Sequence, residues 1–319
     1  MKSEFRIGTR GSKLALYQAE LVKAKLEQSF PLLKFNLIKI KTSGDMIRRA
    51  GPDPFTTKRV YTKEIEEALE RNEIDFGTHS AKDLAVQLPS GLMIGAVLER
   101  EDPRDCLISR DGKKLSELPM GARIGTSAIR RRLQLLKMNP ELVIEDVRGN
   151  VDTRIHKLEE GAVDAIVLAY AGVKRLGMIA HVTEVFPENQ FFPAPCQGAI
   201  VVESRLNDAE AKELLHPLNH PQSAFRVACE RAFLRRLEGG CQLPCGITTR
   251  FEEEDRKFVA AGIFFSLDGN KQAEASFDVG VGLKPTPTEA ESIGIRLADE
   301  ILAQGGNEIL QRMHRDIER

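Results

Sequence analysis

Apolar residues recur along this chain in two alternating rhythms. Phe5 to Gly8 is a short apolar run that reads as a strand. After it Ala15, Ala19, Val22 and Leu26, spaced by four, three and four, fall on one face of a helix. Phe35 to Ile40 predicts a second strand. Residues 63–70 predict a helix with Ile65, Ala68 and Leu69 on one side, and a strand from Ile74 to Thr78 ends at His79. Strand and helix in repeated succession predict a mostly parallel α/β sheet. The stretch Glu99 to Arg104, charged and interrupted by Pro103, predicts a linker, after which the rhythm restarts. Ala122 to Gly125 reads as a strand, and a helix after Ser127 uses Ile129, Leu133 and Leu136. Val143 to Val147 is the next strand, and a helix using Val151, Ile155 and Leu158 follows. Ala165 to Ala169 is apolar throughout, as a strand covered on both faces is. Phe192-Pro193-Ala194-Pro195 marks a second boundary. Beyond about residue 220 the pattern changes. A helix over 224–237 precedes two β-rich segments, 257–265 and 272–279, joined by the turn Asp268-Gly269-Asn270. A last amphipathic helix covers 288–304. These elements predict a small α+β domain at the C-terminal end.

A chain of 319 residues exceeds what one hydrophobic core usually organises, so two or three domains are expected. Apolar residues make up 42% and charged residues 29%, and the net charge is −1, so no overall field favours nucleic acid or an anionic membrane. With no Trp and 3 Tyr, platforms for stacking single-stranded bases are scarce. The opening residues MKSEFRIGTR hold no apolar signal region, and no apolar run approaches the roughly 20 residues that cross a bilayer. Five cysteines (Cys106, Cys196, Cys229, Cys241 and Cys245), an odd number with no export signal, predict reduced thiols in the cytoplasm.

The candidate chemistry begins with arginines. Arg123, Arg130, Arg131, Arg132, Arg148, Arg154 and Arg175 crowd one part of the chain, several of them where a strand hands over to a helix. Gly125-Thr126-Ser127 precedes Arg130 and Arg131, and Arg148-Gly149-Asn150 precedes a helix holding Arg154. Thr9-Arg10-Gly11-Ser12 repeats the arrangement near the start. The N-terminus of a helix offers unbonded N–H groups and partial positive charge, and guanidinium forks match carboxylates two bonds at a time. In open α/β sheets the ligand crevice lies at the carboxyl ends of the strands. A ligand rich in carboxylates or phosphates is expected, although no phosphate-loop pattern is present. Solvated arginines paired with acidic neighbours are the competing reading, and for any single arginine it is the commoner one.

A second signal is His79-Ser80-Ala81-Lys82-Asp83 at a strand end, where Lys82 and Asp83 suit acid–base or electrostatic work. An ordinary surface ion pair fits the same spacing. The third signal is Glu238-Gly239-Gly240-Cys241-Gln242, where two glycines leave a thiol accessible as a nucleophile. A buried structural cysteine is the alternative. Cys241 and Cys245 alone are too few for a zinc site, so no metal is expected.

In this order the segments resemble the porphobilinogen deaminase family over nearly the whole chain. They are Gly8 to Ser12, His79 to Asp83, Glu99 to Asp105, Gly125 to Ser127 with Arg130-Arg131, Arg148 to Val151 with Arg154, Gln197 to Ala199, and Leu237 to Cys241. The resemblance implies two α/β domains like those of type II periplasmic binding proteins plus the small C-terminal domain. The expected bounds are 1–98 with 198–217, then 103–193, then 220–319. It implies a transferase that joins four porphobilinogen molecules head to tail into hydroxymethylbilane, releasing ammonia. The product chain grows on a dipyrromethane cofactor held by a thioether, for which Cys241 is the matching anchor. Each pyrrole ring carries an acetate and a propionate, which accounts for the arginines. Asp83 matches the catalytic carboxylate, expected to hold pyrrole N–H groups and the positive charge that develops as ammonia leaves. By similarity Ser80, Lys82, Thr126, Ser127, Arg130, Arg131, Arg148, Arg154 and Gln197 bind the cofactor. Arg10, Ser12, Lys58 and Arg175 bind substrate. The expected protein is a cytoplasmic monomer with no nucleic-acid or membrane partner.

The chain departs from the family pattern at four places. The loop Thr56-Thr57-Lys58-Arg59-Val60-Tyr61 lacks the usual glycines, and Ala128 stands where a second serine is usual. Leu84-Ala85 follows Asp83, and Pro195-Cys196 precedes Gln197. A non-catalytic cytoplasmic anion- or pyrrole-binding protein on the same fold is the alternative these changes leave open.

Overall fold

The structure is a computed structural model that describes residues 2–46, 61–238, 243–252, 256–282 and 286–317. In chain order the first elements are β1 (Glu4–Thr9), α1 (Lys13–Ser29), β2 (Lys34–Lys39), the short α2 (Ser43–Met46), α3 (Lys63–Glu70), β3 (Phe76–Ser80) and β4 (Leu92–Val97). Next come β5 (Asp105–Ser109), β6 (Arg123–Gly125), α4 (Ile129–Met138), β7 (Val143–Glu145), α5 (Val151–Glu159), β8 (Ala165–Ala169), α6 (Tyr170–Arg175) and β9 (Glu184–Val185). The remainder is β10 (Ile200–Arg205), α7 (Ala209–Leu215), α8 (Pro221–Arg236), β11 (Cys245–Glu252), β12 (Lys257–Phe265), β13 (Gln272–Gly280), α9 (Pro287–Ile301) and α10 (Asn307–Ile317).

The chain divides into two compact units. The first comprises Met1–Glu101 and Gly198–Val227; the second comprises Asp102–Gln197 and Ala228–Arg319. The first unit is built on a five-stranded sheet in the order β2-β1-β3-β10-β4. Its core joins Phe5, Ile7, Phe35 and Phe76 to Ala19, Val22 and Leu26 of α1 and to Leu214 and Leu215 of α7. Each large side chain removed from water in this way contributes roughly 1.5–3 kcal/mol. The helical spacing of four, three and four therefore buries three of its four residues, while Ala15 stays half-exposed. On the opposite face, Ile65, Ala68 and Leu69 of α3 pack with Ile74 and Leu92.

The second unit holds a five-stranded sheet in the order β7-β6-β8-β5-β9 and a three-stranded antiparallel sheet, β11-β12-β13. Leu133 of α4 is buried with Ile263 and Phe265 of β12, so the two sheets share apolar contacts within the unit. Helix α9 starts with a capping box: Thr286 accepts from the Glu289 N–H, Glu289 reaches back, and Pro287 occupies the first turn.

The expected parallel order holds for β2-β1-β3 and for β7-β6-β8. It fails beyond them. β10 runs antiparallel to both β3 and β4, and β5 runs antiparallel to both β8 and β9. The sheets are mixed because in each a strand from a distant part of the sequence inserts beside the parallel group. β5, β10 and β11 mix polar and apolar residues without the period-two or uniformly apolar pattern that marks a strand on sequence alone, whereas β4, Leu-Met-Ile-Gly-Ala-Val, is apolar throughout and is a strand absent from the expected elements.

Candidate functional site

In the first unit, β1 and β3 are parallel neighbours, so the segments following each emerge at the same carboxyl edge of the sheet. After β1 come Arg10, Gly11 and Ser12. The Arg10 guanidinium stands 4.2 Å over the ring of Tyr61. Ser12 caps α1, its Oγ accepting from the Ala15 N–H at 3.3 Å. Its hydroxyl thus already serves its own helix, which the junction pattern did not anticipate. After β3 comes a single 3-10 turn, Ala81–Asp83. Ala81 and Leu84 are buried, whereas Lys82 and Asp83 are half-buried. The turn anchors itself through its apolar residues and leaves its polar ones at the edge. The Ala81 N–H donates to the Ala199 carbonyl at 3.0 Å, and Gln18 Nε2 of α1 donates to Ser80 Oγ at 2.8 Å. Both flanks of the turn are therefore tied down. Among the described residues, no hydrogen bond or ion pair engages the Asp83 carboxylate.

In the second unit the parallel trio β7-β6-β8 defines another carboxyl edge. Thr126 and Ser127 follow β6. Thr126 is buried and its Oγ1 accepts from the Ala128 N–H at 3.2 Å; Ser127 is exposed. Arg148 follows β7 and pairs with Asp146, Nε to Oδ2 at 2.9 Å, with half its side chain in solvent. Arg154 Nε donates to the Gly149 carbonyl at 2.8 Å. Gly149 has φ +124, and a Cβ there would lie 2.9 Å from Thr153 Cγ2, so glycine suits this turn twice over. Arg175, at the end of α6, is half-buried. Helices α4 and α5 both begin with no side chain bonded to their first turn from the N-cap position.

Arg130 and Arg131 behave differently from the exposed arginines. They are 5% and 6% exposed and share one carboxylate, Asp105, which is fully buried at the start of β5. Arg130 Nη1 lies 2.7 Å from Asp105 Oδ2 and also donates to the Phe192 carbonyl. Arg131 donates to Asp105 Oδ1 from Nη2 at 2.7 Å and from Nε at 3.1 Å, and Nη1 donates to the Val167 carbonyl at 3.0 Å. Gln197 Nε2 donates to the same Oδ1 at 2.9 Å and to the Pro103 carbonyl at 2.7 Å. Burial pushes the Asp105 carboxyl up, but Arg130, Arg131 and Gln197 pull harder and bring it down to about 2. Burial lowers the Arg130 pKa, against the pull of Asp105.

Asp105, Gln18 and Tyr61 are contacts that sequence reasoning missed. Asp105 was visible only as the last residue of the family segment Glu99 to Asp105, just beyond the expected linker; nothing local marks Gln18 or Tyr61. Cys241 and Lys58 lie outside the described residues. The described cysteines, Cys106, Cys196, Cys229 and Cys245, are free and buried. Burial pushes the Cys106 and Cys245 thiols up to about 12. Among the described residues, no group of three His, Cys, Asp or Glu side chains is placed to hold a metal ion.

In the first unit an acid with no partner among the described residues suits ligand N–H groups, and in the second unit buried guanidiniums suit ligand carboxylates. Comparison with known proteins points to the same chemistry. The family model described as "Porphobilinogen deaminase, dipyromethane cofactor binding domain" matches residues 5–213, and "Porphobilinogen deaminase, C-terminal domain" matches 224–303. A protein of Geotalea daltonii called porphobilinogen deaminase is 44% identical over 311 residues, covering 98% of this chain and 95% of its own length. Proteins of the same name from Chloroherpeton thalassium and Pelotomaculum thermopropionicum are 45% and 46% identical over 316 residues, each covering 99% of both chains. Among solved structures, the methionine binding protein MetQ aligns with a TM-score of 0.44 at 13% identity, over 72% of this chain and 95% of that one.

Proposed function

The chain belongs to the porphobilinogen deaminase family, and on that premise we propose how its own residues carry the reaction. The enzyme is a transferase of tetrapyrrole biosynthesis. It condenses four porphobilinogen molecules head to tail into hydroxymethylbilane with loss of ammonia, on a dipyrromethane primer. The observation that carries the residue assignment is the Asp83 carboxylate, half-buried at the carboxyl edge of β1 and β3 with no protein partner among the described residues.

A carboxylate with no partner among the described residues, on a turn tied down at both flanks, is preorganised to accept ligand N–H groups and to stabilise positive charge that develops beside it. Asp83 takes that role, orienting pyrrole N–H groups and balancing the charge that appears as ammonia leaves. Lys82, next to it, meets a carboxylate. The donor set fits the cofactor, because two buried guanidiniums share one carboxylate and so leave positive charge for an acidic group. When bound, the dipyrromethane would supply a free pyrrole α-position for the first incoming unit, and each added ring would present the next one. Cys241 anchors it through sulfur, and Arg130, Arg131, Thr126, Ser127, Ser80 and Gln197 line its place. Arg148 and Arg154 bind further carboxylates. Arg10, Ser12, Lys58 and Arg175 receive substrate, with the Arg10 guanidinium 4.2 Å over the ring of Tyr61. No described helix is long and apolar enough to cross a membrane. The reading is completed as a cytoplasmic monomer, which cell fractionation and sedimentation test.

Intact-protein mass tests the proposal directly. Wild type is expected to exceed its sequence mass by two pyrrole units, and Cys241→Ser to lose that excess. Asp83→Ala is expected to stay folded and almost cease releasing ammonia from porphobilinogen. An unmodified wild-type mass in cells that make porphobilinogen, or wild-type turnover in Asp83→Ala, overturns the corresponding assignment.

A further inference from the structure

The cluster around Asp105 does not balance its charge. Two buried guanidiniums, Arg130 and Arg131, face one buried carboxylate, and no second carboxylate among the described residues pairs with either. A buried ion left without a counter-charge is costly, and one arginine per carboxylate would serve stability better. Asp105 also fixes where both guanidiniums sit. Its Oδ1 takes two bonds from Arg131 and one from Gln197, and its Oδ2 meets Arg130. The Val167 carbonyl holds the far side of the Arg131 fork, and the Phe192 carbonyl accepts from the same Arg130 Nη1 that meets Asp105.

We propose that Asp105 is a positioning residue: it clamps Arg130 and Arg131 side by side at the start of α4 with one positive charge unneutralised, and that charge receives one carboxylate of the pyrrole chain. The inference rests on the family reading above, and adds a residue that touches neither substrate nor cofactor. The surplus charge destabilises the empty cluster, and the incoming carboxylate offsets that penalty. The same carboxylate is then held where Asp105 has set the forks, which ties cofactor loading and turnover to a side chain one step removed.

Asp105→Asn removes the charge and keeps an acceptor oxygen; Asp105→Glu keeps the charge and displaces it by one methylene. Each is purified beside wild type and checked for fold by circular dichroism. Intact mass then gives the loaded fraction, and kcat is measured per loaded, folded molecule alongside KM for porphobilinogen. Asp105→Asn is expected to show a reduced loaded fraction and a kcat about 100-fold below wild type, as a misplaced binding group produces. KM is expected to move far less, and Asp105→Glu is expected to recover loading ahead of kcat. A merely structural role would lower the folded fraction and leave these per-molecule values unchanged. Folded Asp105→Asn that loads and turns over like wild type overturns the proposal while leaving the family reading intact. Wild type with no added mass and no ammonia release overturns both. Failure of both variants to fold assigns Asp105 to stability alone and also overturns it.

Discussion

His79 Nε2 lies 3.1 Å from Glu203 Oε2, and both side chains are buried where β3 runs antiparallel to β10. Gly77 makes room for the pair: it stands opposite Glu203, and a Cβ there would come within 3.0 Å of His79 Nε2. The contact joins the strand that ends in the Asp83 turn to a strand from a distant part of the chain. Glu203→Ala leaves a buried imidazole without its partner, which costs about 1–3 kcal/mol. Chemical denaturation is expected to show that loss, with Glu203→Gln losing less because it keeps a hydrogen-bonding oxygen. Equal stability of wild type and Glu203→Ala would remove the pair from the account of how β10 is held.

Asp83 should behave in the opposite way. Its carboxylate has no protein partner among the described residues, so folding gains nothing from its charge. Asp83→Asn is therefore expected to leave the unfolding free energy within about 0.5 kcal/mol of wild type. Turnover is expected to fall by roughly 100-fold or more, the usual scale for a positioned acid–base or charge-stabilising group. Denaturation and ammonia release measured on one preparation decide the matter. A large stability loss would mean the carboxylate has a structural partner.

Where the local pattern was strong, sequence and structure coincide. The amphipathic segment 63–70 is helix α3, and the apolar run Ala165–Ala169 is strand β8. Segment 257–265 is strand β12. The antiparallel insertion of β10 and β5 was not legible, because strand pairing is a long-range choice that a short window of residues does not encode. The arginines show the same limit at a finer scale. Arg148 finds its carboxylate two residues away, in Asp146, as the solvated reading would have it. Arg130 and Arg131 find theirs in Asp105, on a different strand, and only the fold reveals that they are buried. Gly149 and Asp83 were legible as turn and edge residues because their roles depend on local backbone shape and strand ends. Gln18 and Asp105 were not, because their roles depend on what lies across the sheet.

The described thiols give a chemical check on where reactivity resides. Burial raises the Cys106 and Cys245 thiols to about 12 and lifts Cys229 well above its ordinary value. A thiol reacts as its thiolate, so a raised value keeps it protonated and inert near neutral pH. Iodoacetamide at about pH 8, against unperturbed thiols near 8.5, is expected to leave these three unmodified in the folded Cys241→Ser variant. Peptide mass mapping reads the outcome. Rapid labelling of Cys106 or Cys245 without unfolding would mean that their surroundings open.

The acid side of the stability curve isolates Asp105. Its folded value is about 2, below the roughly 3.9 of an unfolded aspartate. A carboxyl whose folded value is depressed binds its proton more readily in the unfolded chain. Its contribution is therefore complete above about pH 4 and disappears as pH falls through about 2. The size of the shift sets that contribution at about 2.5 kcal/mol. Wild type is expected to exceed Asp105→Asn in stability by an amount of this order at neutral pH, and the gap is expected to close between about pH 4 and pH 2. Other acids depressed by arginine or lysine partners, such as Asp75 and Asp102, remain in both proteins, so their titration cancels in the difference. Urea denaturation of both proteins across that range measures the gap. A difference independent of pH would mean that the asparagine acts through packing, and that the carboxylate is not the charged anchor of Arg130 and Arg131.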